Sequence, residues 1–154
     1  MKVFVSGCYD MLHSGHVAFF EEAAKLGDLY VGLGNDENIF ALKNRRTVNS
    51  DAERLYMVKA IRHVKDAWIN SGMGKMDFVR EVEALKPDVF FVNKDGWSQE
   101  KADFCRERGI LADTPAMKDF SEHAQCLALL GDVLPADKAK ACFGHLIADA
   151  DLSR

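Results

Sequence analysis

The chain has 154 residues, 48% of them apolar, enough for one domain with its own core and too few for two of ordinary size. Its 20 Lys and Arg against 24 Asp and Glu give a formal net charge of −4, which excludes a broad basic surface for nucleic acid, so an anionic ligand has to be met locally. The opening MKVFVSG, with one lysine and a short apolar run, is neither a signal peptide nor a membrane span, and a cytoplasmic protein without a membrane partner is expected. Cys8, Cys105, Cys126 and Cys142 show no CxxC or metal-ligand spacing and are expected as free thiols.

KVFVS at 2–6 predicts a strand. From 15 to 26 the apolar positions Val17, Phe20, Ala23 and Ala24 recur at helical spacing, and Gly27 stops the helix. LYVGL at 29–33 is the next strand. Ser50 and Glu53 form a capping box ahead of a helix over 52–64 with Leu55, Val58 and Ile61 on one face. DAWIN at 66–70 predicts a strand, 76–86 a helix ended by Pro87, DVFFV at 88–92 a buried strand, and 98–109 a helix closing at Gly109. This alternation predicts an α/β fold: a Rossmann-like parallel sheet with helices on both faces, and ligands beyond the carboxyl ends of the strands. The expected domain is 1–110. Beyond it LADTPAMKDF has no strand-like run, and 121–148 reads as two short helical pieces around Pro135, so 111–154 is expected as an atypical helical C-terminal segment, packed on the same domain or partly disordered.

GCYDMLHSGH, at 7–16, runs off the first strand into the first helix, where phosphate usually meets free backbone N–H groups and the positive end of a helix dipole. Gly7 and Gly15 predict a backbone that comes close to a ligand. GxGxxG and GK[ST] are both absent, so this is neither a dinucleotide fingerprint nor a Walker loop. His13 and His16 are spaced so that both imidazoles can donate to one phosphoryl group as its charge develops. A metal site would need a third ligand, and the sequence offers none nearby.

GCYDMLHSGH resembles the GxFDxxHxGH signature of the cytidylyltransferase-like nucleotidyltransferases. KLGDLYVGLGNDENI is similar to that family's LGDxLIVAVxxDE stretch, LKNRRTVNSDAER to LKGxxRPVxxxxER, and KPDVFFVNKDGW to PDxxVxGxDW. The resemblance covers about the first 100 residues and is nearest to small enzymes of the glycerol-3-phosphate and phosphoethanolamine cytidylyltransferase type. It implies a reaction in which a phosphomonoester attacks the α-phosphate of CTP or ATP and releases pyrophosphate, with Mg2+ present and no metal held by protein ligands. It also implies roles. His13, His16 and Lys43 would be catalytic; Gly7, Cys8, Tyr9, Gly15, Arg54 and Asp95 would hold the nucleotide; Asp10, Asp36 and Trp97 would meet the acceptor. A homodimer is implied by the resemblance alone.

Two departures matter. Thr47 stands where relatives carry proline after the arginine matched by Arg46. No RTxGISTT-like segment, whose arginine and hydroxyls bind the triphosphate in relatives, follows Gly109. The alternative expectation is therefore a catalytically weak or inactive nucleotide-binding module.

Overall fold

In the computed structural model, which describes residues 1–93 and 96–113, five strands form one sheet in the order β3-β2-β1-β4-β5, with every pairing parallel. The strands are β1 (Lys2–Gly7), β2 (Asp28–Leu33), β3 (Val64–Ile69), β4 (Val89–Phe91) and β5 (Leu111–Asp113). The helices are α1 (Ser14–Ala24), α2 (Asp36–Lys43), α3 (Asp51–Lys59), α4 (Val79–Leu85) and α5 (Gln99–Glu107).

Alternate residues of each strand face opposite sides, and both sides are apolar. Val3, Val5, Leu29, Val31, Val89 and Phe91 point into one core with Phe20 of α1 and Val58 of α3. Phe4, Phe90 and Val92 point into the other with Phe78, Val82 of α4 and Phe104 of α5. Phe4 and Phe90 pack with tilted rings, 5.1 Å between centroids, and Phe78 meets Phe90 edge-on at 4.9 Å. The doubly covered parallel sheet expected from the sequence is present.

Two elements depart from the sequence reading. Leu111–Asp113 forms a fifth strand, paired with β4 from Val89↔Leu111 to Phe91↔Asp113, where LADTPAMKDF gave no strand-like run. α2, between β2 and α3, was not read at all. Some boundaries also shift: the helix expected over 52–64 ends at Lys59, and Val64 already belongs to β3. The expected helical pieces over 121–148 lie outside the described residues. Among the described residues no helix is long and apolar enough to cross a membrane, and Cys8 and Cys105 are free thiols.

Candidate functional site

The sheet changes direction between β1 and β4: β2 and β3 lie to one side of β1, β4 and β5 to the other. In such sheets a crevice opens beyond the carboxyl ends of the two strands at the switch. Here it is a cleft of about 900 Å³, lined by Gly7, Cys8, Tyr9, His13, Gly15 and His16 on one side and by Asn93, Trp97 and Lys101 on the other. Lys43, at the end of α2, and Lys75 also line it. Six of the residues named from the sequence thus meet in one place, with Lys43 and Trp97 joining them from elsewhere in the chain, and among the described residues of this acidic protein the cleft holds three lysines and two histidines.

The histidines build the start of α1. His13 is the N-cap, and its Nδ1 accepts the Gly15 N–H at 3.1 Å; the His13 N–H donates to His16 Nδ1 at 3.4 Å. This is a capping box made of two imidazoles. Since both Nδ1 atoms accept, the hydrogen of each neutral ring sits on Nε2. The rings stack with centroids 3.9 Å apart. His16 is braced edge-on by Tyr9 at 5.6 Å, and Tyr9 packs on Phe20 at 4.9 Å. Burial, and then the neighbouring His13, lower the pKa of His16. With Nδ1 of each ring turned to the backbone, each Nε2 is left for an anion.

The two glycines have a packing role as well. A Cβ on Gly7 would lie 2.8 Å from the Tyr9 ring and one on Gly15 2.9 Å from the His13 ring. Their missing side chains make room for the aromatic groups that shape the loop. Tyr9 and Met11 both adopt left-handed backbone, with φ of 51° and 53°, which costs an L-residue roughly 1–2 kcal/mol each.

Arg54, Asp10 and Asp36 were expected to touch nucleotide or acceptor; none of them lines the cleft. Arg54 is fully buried and donates to the carbonyls of Cys8 (2.6 Å), Gly34 (3.0 Å) and Asn49 (3.3 Å) and to Asp36 Oδ1 (2.7 Å). Asp36 also accepts from Thr47 Oγ1 and the Asp51 N–H, and Asp10 accepts from the Val48 and Asn49 N–H groups. Burial alone would raise both carboxyls, but these donors and Arg54 outweigh it and lower both pKa values. The three residues tie the loop after α2 to the loop carrying the histidines. Thr47, where proline was expected, uses its hydroxyl in this tie. Asp95 lies outside the described residues.

Sequence reasoning missed a set of polar residues on and behind the cleft wall, of which Asn38, Asp77 and Lys101 line it. Asn35 caps α2 by accepting the Asn38 N–H at 2.8 Å. Asn38, Asp77 and Asn70 are buried, with Asp77 accepting from both amides, and Lys101 stands near Asp77, with its Nζ donating to the Gly96 carbonyl at 2.8 Å. Burial raises the pKa of Asp77 and lowers that of Lys101. No spacing rule joins positions 38, 70, 77 and 101. The one local signal was Asn35, a cap residue followed by two acids.

Among the described residues no group of three or more His, Cys, Asp or Glu could hold a metal ion, and Asp77 is the one carboxylate on the cleft wall there. Such a site suits a hard cation carried in by substrate phosphates, since magnesium keeps most of its waters and takes few protein ligands.

A cleft at a topological switch point with paired imidazoles at a helix start belongs to the class of nucleotide-handling α/β transferases. The chain is a member of the cytidylyltransferase-like family, whose profile matches residues 4–111, and is a nucleotidyltransferase. It is 34% identical to the FAD synthase of Aciduliprofundum boonei over 79% of this chain and 81% of that one. With the FAD synthase of Thermococcus kodakarensis the identity is 35% over 73% and 76%. The bifunctional protein HldE of Helicobacter pylori is 31% identical over 71% of this chain but only 24% of its own length. A lipopolysaccharide core biosynthesis protein from Thermoplasma volcanium shares the fold, with a TM-score of 0.62 at 23% identity, covering 74% of this chain and 93% of that one.

Proposed function

We propose that this chain transfers a nucleoside monophosphate from ATP or CTP to a small phosphomonoester and releases pyrophosphate. The observation that carries this reading is the convergence of His13, His16, Lys43, Lys75 and Lys101 on one cleft. An oxygen of the ester phosphate forms the new bond to the α-phosphorus, and the bond from that phosphorus to the bridging oxygen breaks, its electron pair leaving with pyrophosphate. The nucleophile is already anionic, so no base is needed; the work is alignment and stabilisation of charge on the α-phosphoryl oxygens. The Nε2–H groups of His13 and His16 donate to those oxygens. Lys43, at the exposed end of α2, reaches the phosphates, and the loop of Gly7, Cys8, Tyr9 and Gly15 carries the triphosphate. Trp97 borders the acceptor. Arg54, Asp10 and Asp36 act as positioning residues. Mg2+, arriving with the triphosphate, supplies neutralisation of its charge. FAD synthase relatives favour ATP, since their product contains an adenine nucleotide. The homodimer is carried over from the resemblance, and the cytoplasmic setting from the sequence of the opening segment.

The test is pyrophosphate release with ATP or CTP and Mg2+ against phosphomonoesters of glycerol, choline, ethanolamine, sugars, pantetheine and riboflavin. Saturable release with one pair is expected. Tight nucleotide binding without release from any pair would overturn the proposal in favour of a binding module.

Protons should follow the nucleotide. Because burial lowers the pKa of His16 in the free protein, a bound triphosphate should raise it and draw a fraction of a proton onto Nδ1, displacing the long contact from the His13 N–H. Titration calorimetry at neutral pH in buffers of different ionisation enthalpy should show net uptake that His16→Gln removes. Equal heats in all buffers would place His16 away from the phosphates.

A further inference from the structure

Tyr9 carries a hydroxyl that the described fold does not use. The residue is only 6% exposed and lines the cleft. Its ring packs on Phe20 and meets His16 edge-on, contacts that a phenylalanine makes equally well. Phenylalanine is also what the GxFDxxHxGH signature carries at this position. Among the described residues the hydroxyl has no hydrogen-bond partner, although a buried tyrosine usually finds one.

The place of the phenol is fixed. Gly7 ends β1, the middle strand of the sheet, and a Cβ there would lie 2.8 Å from Tyr9 Cζ and 3.1 Å from its hydroxyl oxygen. The polar end of the ring therefore sits at the carboxyl end of β1, where Gly7 and Tyr9 both line the cleft. The chain is held on either side of it. The Cys8 carbonyl accepts from buried Arg54 at 2.6 Å, and the Asp10 carboxylate accepts the Val48 and Asn49 N–H groups at 2.9 and 3.1 Å. Clamped before and after Tyr9, the loop keeps the ring from turning out to water.

A buried hydroxyl without a partner opposes folding, so its presence calls for an acceptor brought by a ligand. Burial raises the pKa of the phenol above its ordinary value, and the proton stays in place as a donor through neutral and alkaline pH. The helix start beside it favours anions, and His16, its edge-on neighbour, leaves Nε2 for the same kind of ligand.

We infer that the Tyr9 hydroxyl donates to a phosphate oxygen of the bound triphosphate, a third side-chain donor beside Nε2 of His13 and His16. This rests on the transferase reading above and adds one bond to its hold on the nucleotide.

The experiment measures, by titration calorimetry, the binding of inorganic tripolyphosphate with Mg2+ to the wild-type chain and to Tyr9→Phe, with a thermal melt of each. The probe offers phosphate oxygens without base or acceptor, so the result does not depend on which nucleotide the protein uses. Tyr9→Phe keeps the ring and its packing. It should weaken binding at least about tenfold, the usual loss for a hydrogen bond to a charged group, and melt no lower than the wild type. In turnover, kcat/KM for the nucleotide should fall by a similar factor. Equal affinity of the two chains overturns the inference and leaves the transferase reading standing. A lower Tm, or a variant that does not fold, also overturns it, because the hydroxyl then serves the fold. Failure of the wild type to bind tripolyphosphate overturns it as well. Binding that Tyr9→Phe weakens, without pyrophosphate release from any nucleotide and ester, upholds the inference and overturns the transferase reading alone.

Discussion

Replacing His16 by alanine should lower kcat by about a hundredfold or more, the usual loss when one donor aimed at developing charge is removed. Stability should change little. The ring gives up a long 3.4 Å contact with the His13 N–H and its edge-on packing against Tyr9, while the stronger half of the cap, from Gly15 to His13, stays. Single-turnover rates with saturating nucleotide, beside a thermal melt, separate the two effects. Turnover within a few-fold of wild type would remove His16 from the chemistry.

Arg54→Met should be the most destabilising single change in the described domain. It leaves the carbonyls of Cys8 and Gly34 without their donor and Asp36 without its cation. Unsatisfied buried groups cost about 1–3 kcal/mol each; Asp36 is 41% exposed at its side chain and recovers part of its loss from water. A total of roughly 3 kcal/mol corresponds to a fall in Tm on the order of 10–20 °C for a domain of this size. A variant that melts like the wild type but no longer binds nucleotide would make Arg54 a ligand group, as its place in the ER motif suggested.

Acid should act on the same frame. The pKa values of Asp10 and Asp36 are lowered in the fold, so their stabilising contribution is complete above the unfolded value near 4 and fades as pH falls through their lower folded values.

The strands were legible because both faces of the sheet are buried, so β1, β2 and β4 appear as apolar runs that no helix pattern competes with. α2 was not, because only Asn38 and Ile39 of its eight residues are buried and no apolar stripe forms. β5 escaped for a different reason: three residues are too few to show a period of two, and Leu111–Asp113 is held by the ladder with β4 rather than by its own pattern. In the site, the histidines were legible because one local segment carries both of them and the helix they begin. The burial of Arg54 was not legible because a charge within an amphipathic helix normally points to water; only the three carbonyls gathered from separate loops show why this one turns inward. The group of Asn38, Asn70 and Asp77 is assembled by tertiary contact alone, and Asp77 precedes α4, which starts at Val79, three residues later than the helix start read from the sequence.

The cap at the start of α1 has a bearing on how these two positions can drift. A helix start needs only a small acceptor, and serine, aspartate or asparagine fills that place better than an imidazole does. Selection for folding alone would therefore erode histidine at 13 toward one of them. An imidazole differs in carrying its acceptor and its donor on two nitrogens of one rigid ring, so that Nδ1 can serve the backbone while Nε2 serves the cleft. A carboxylate has no donor to offer, and an amide bears its oxygen and nitrogen on one carbon, both at the same end of the side chain. The two demands together leave histidine as the one side chain that meets them, and a lineage released from the second demand would be recognisable by serine or aspartate at position 13 with the fold unchanged.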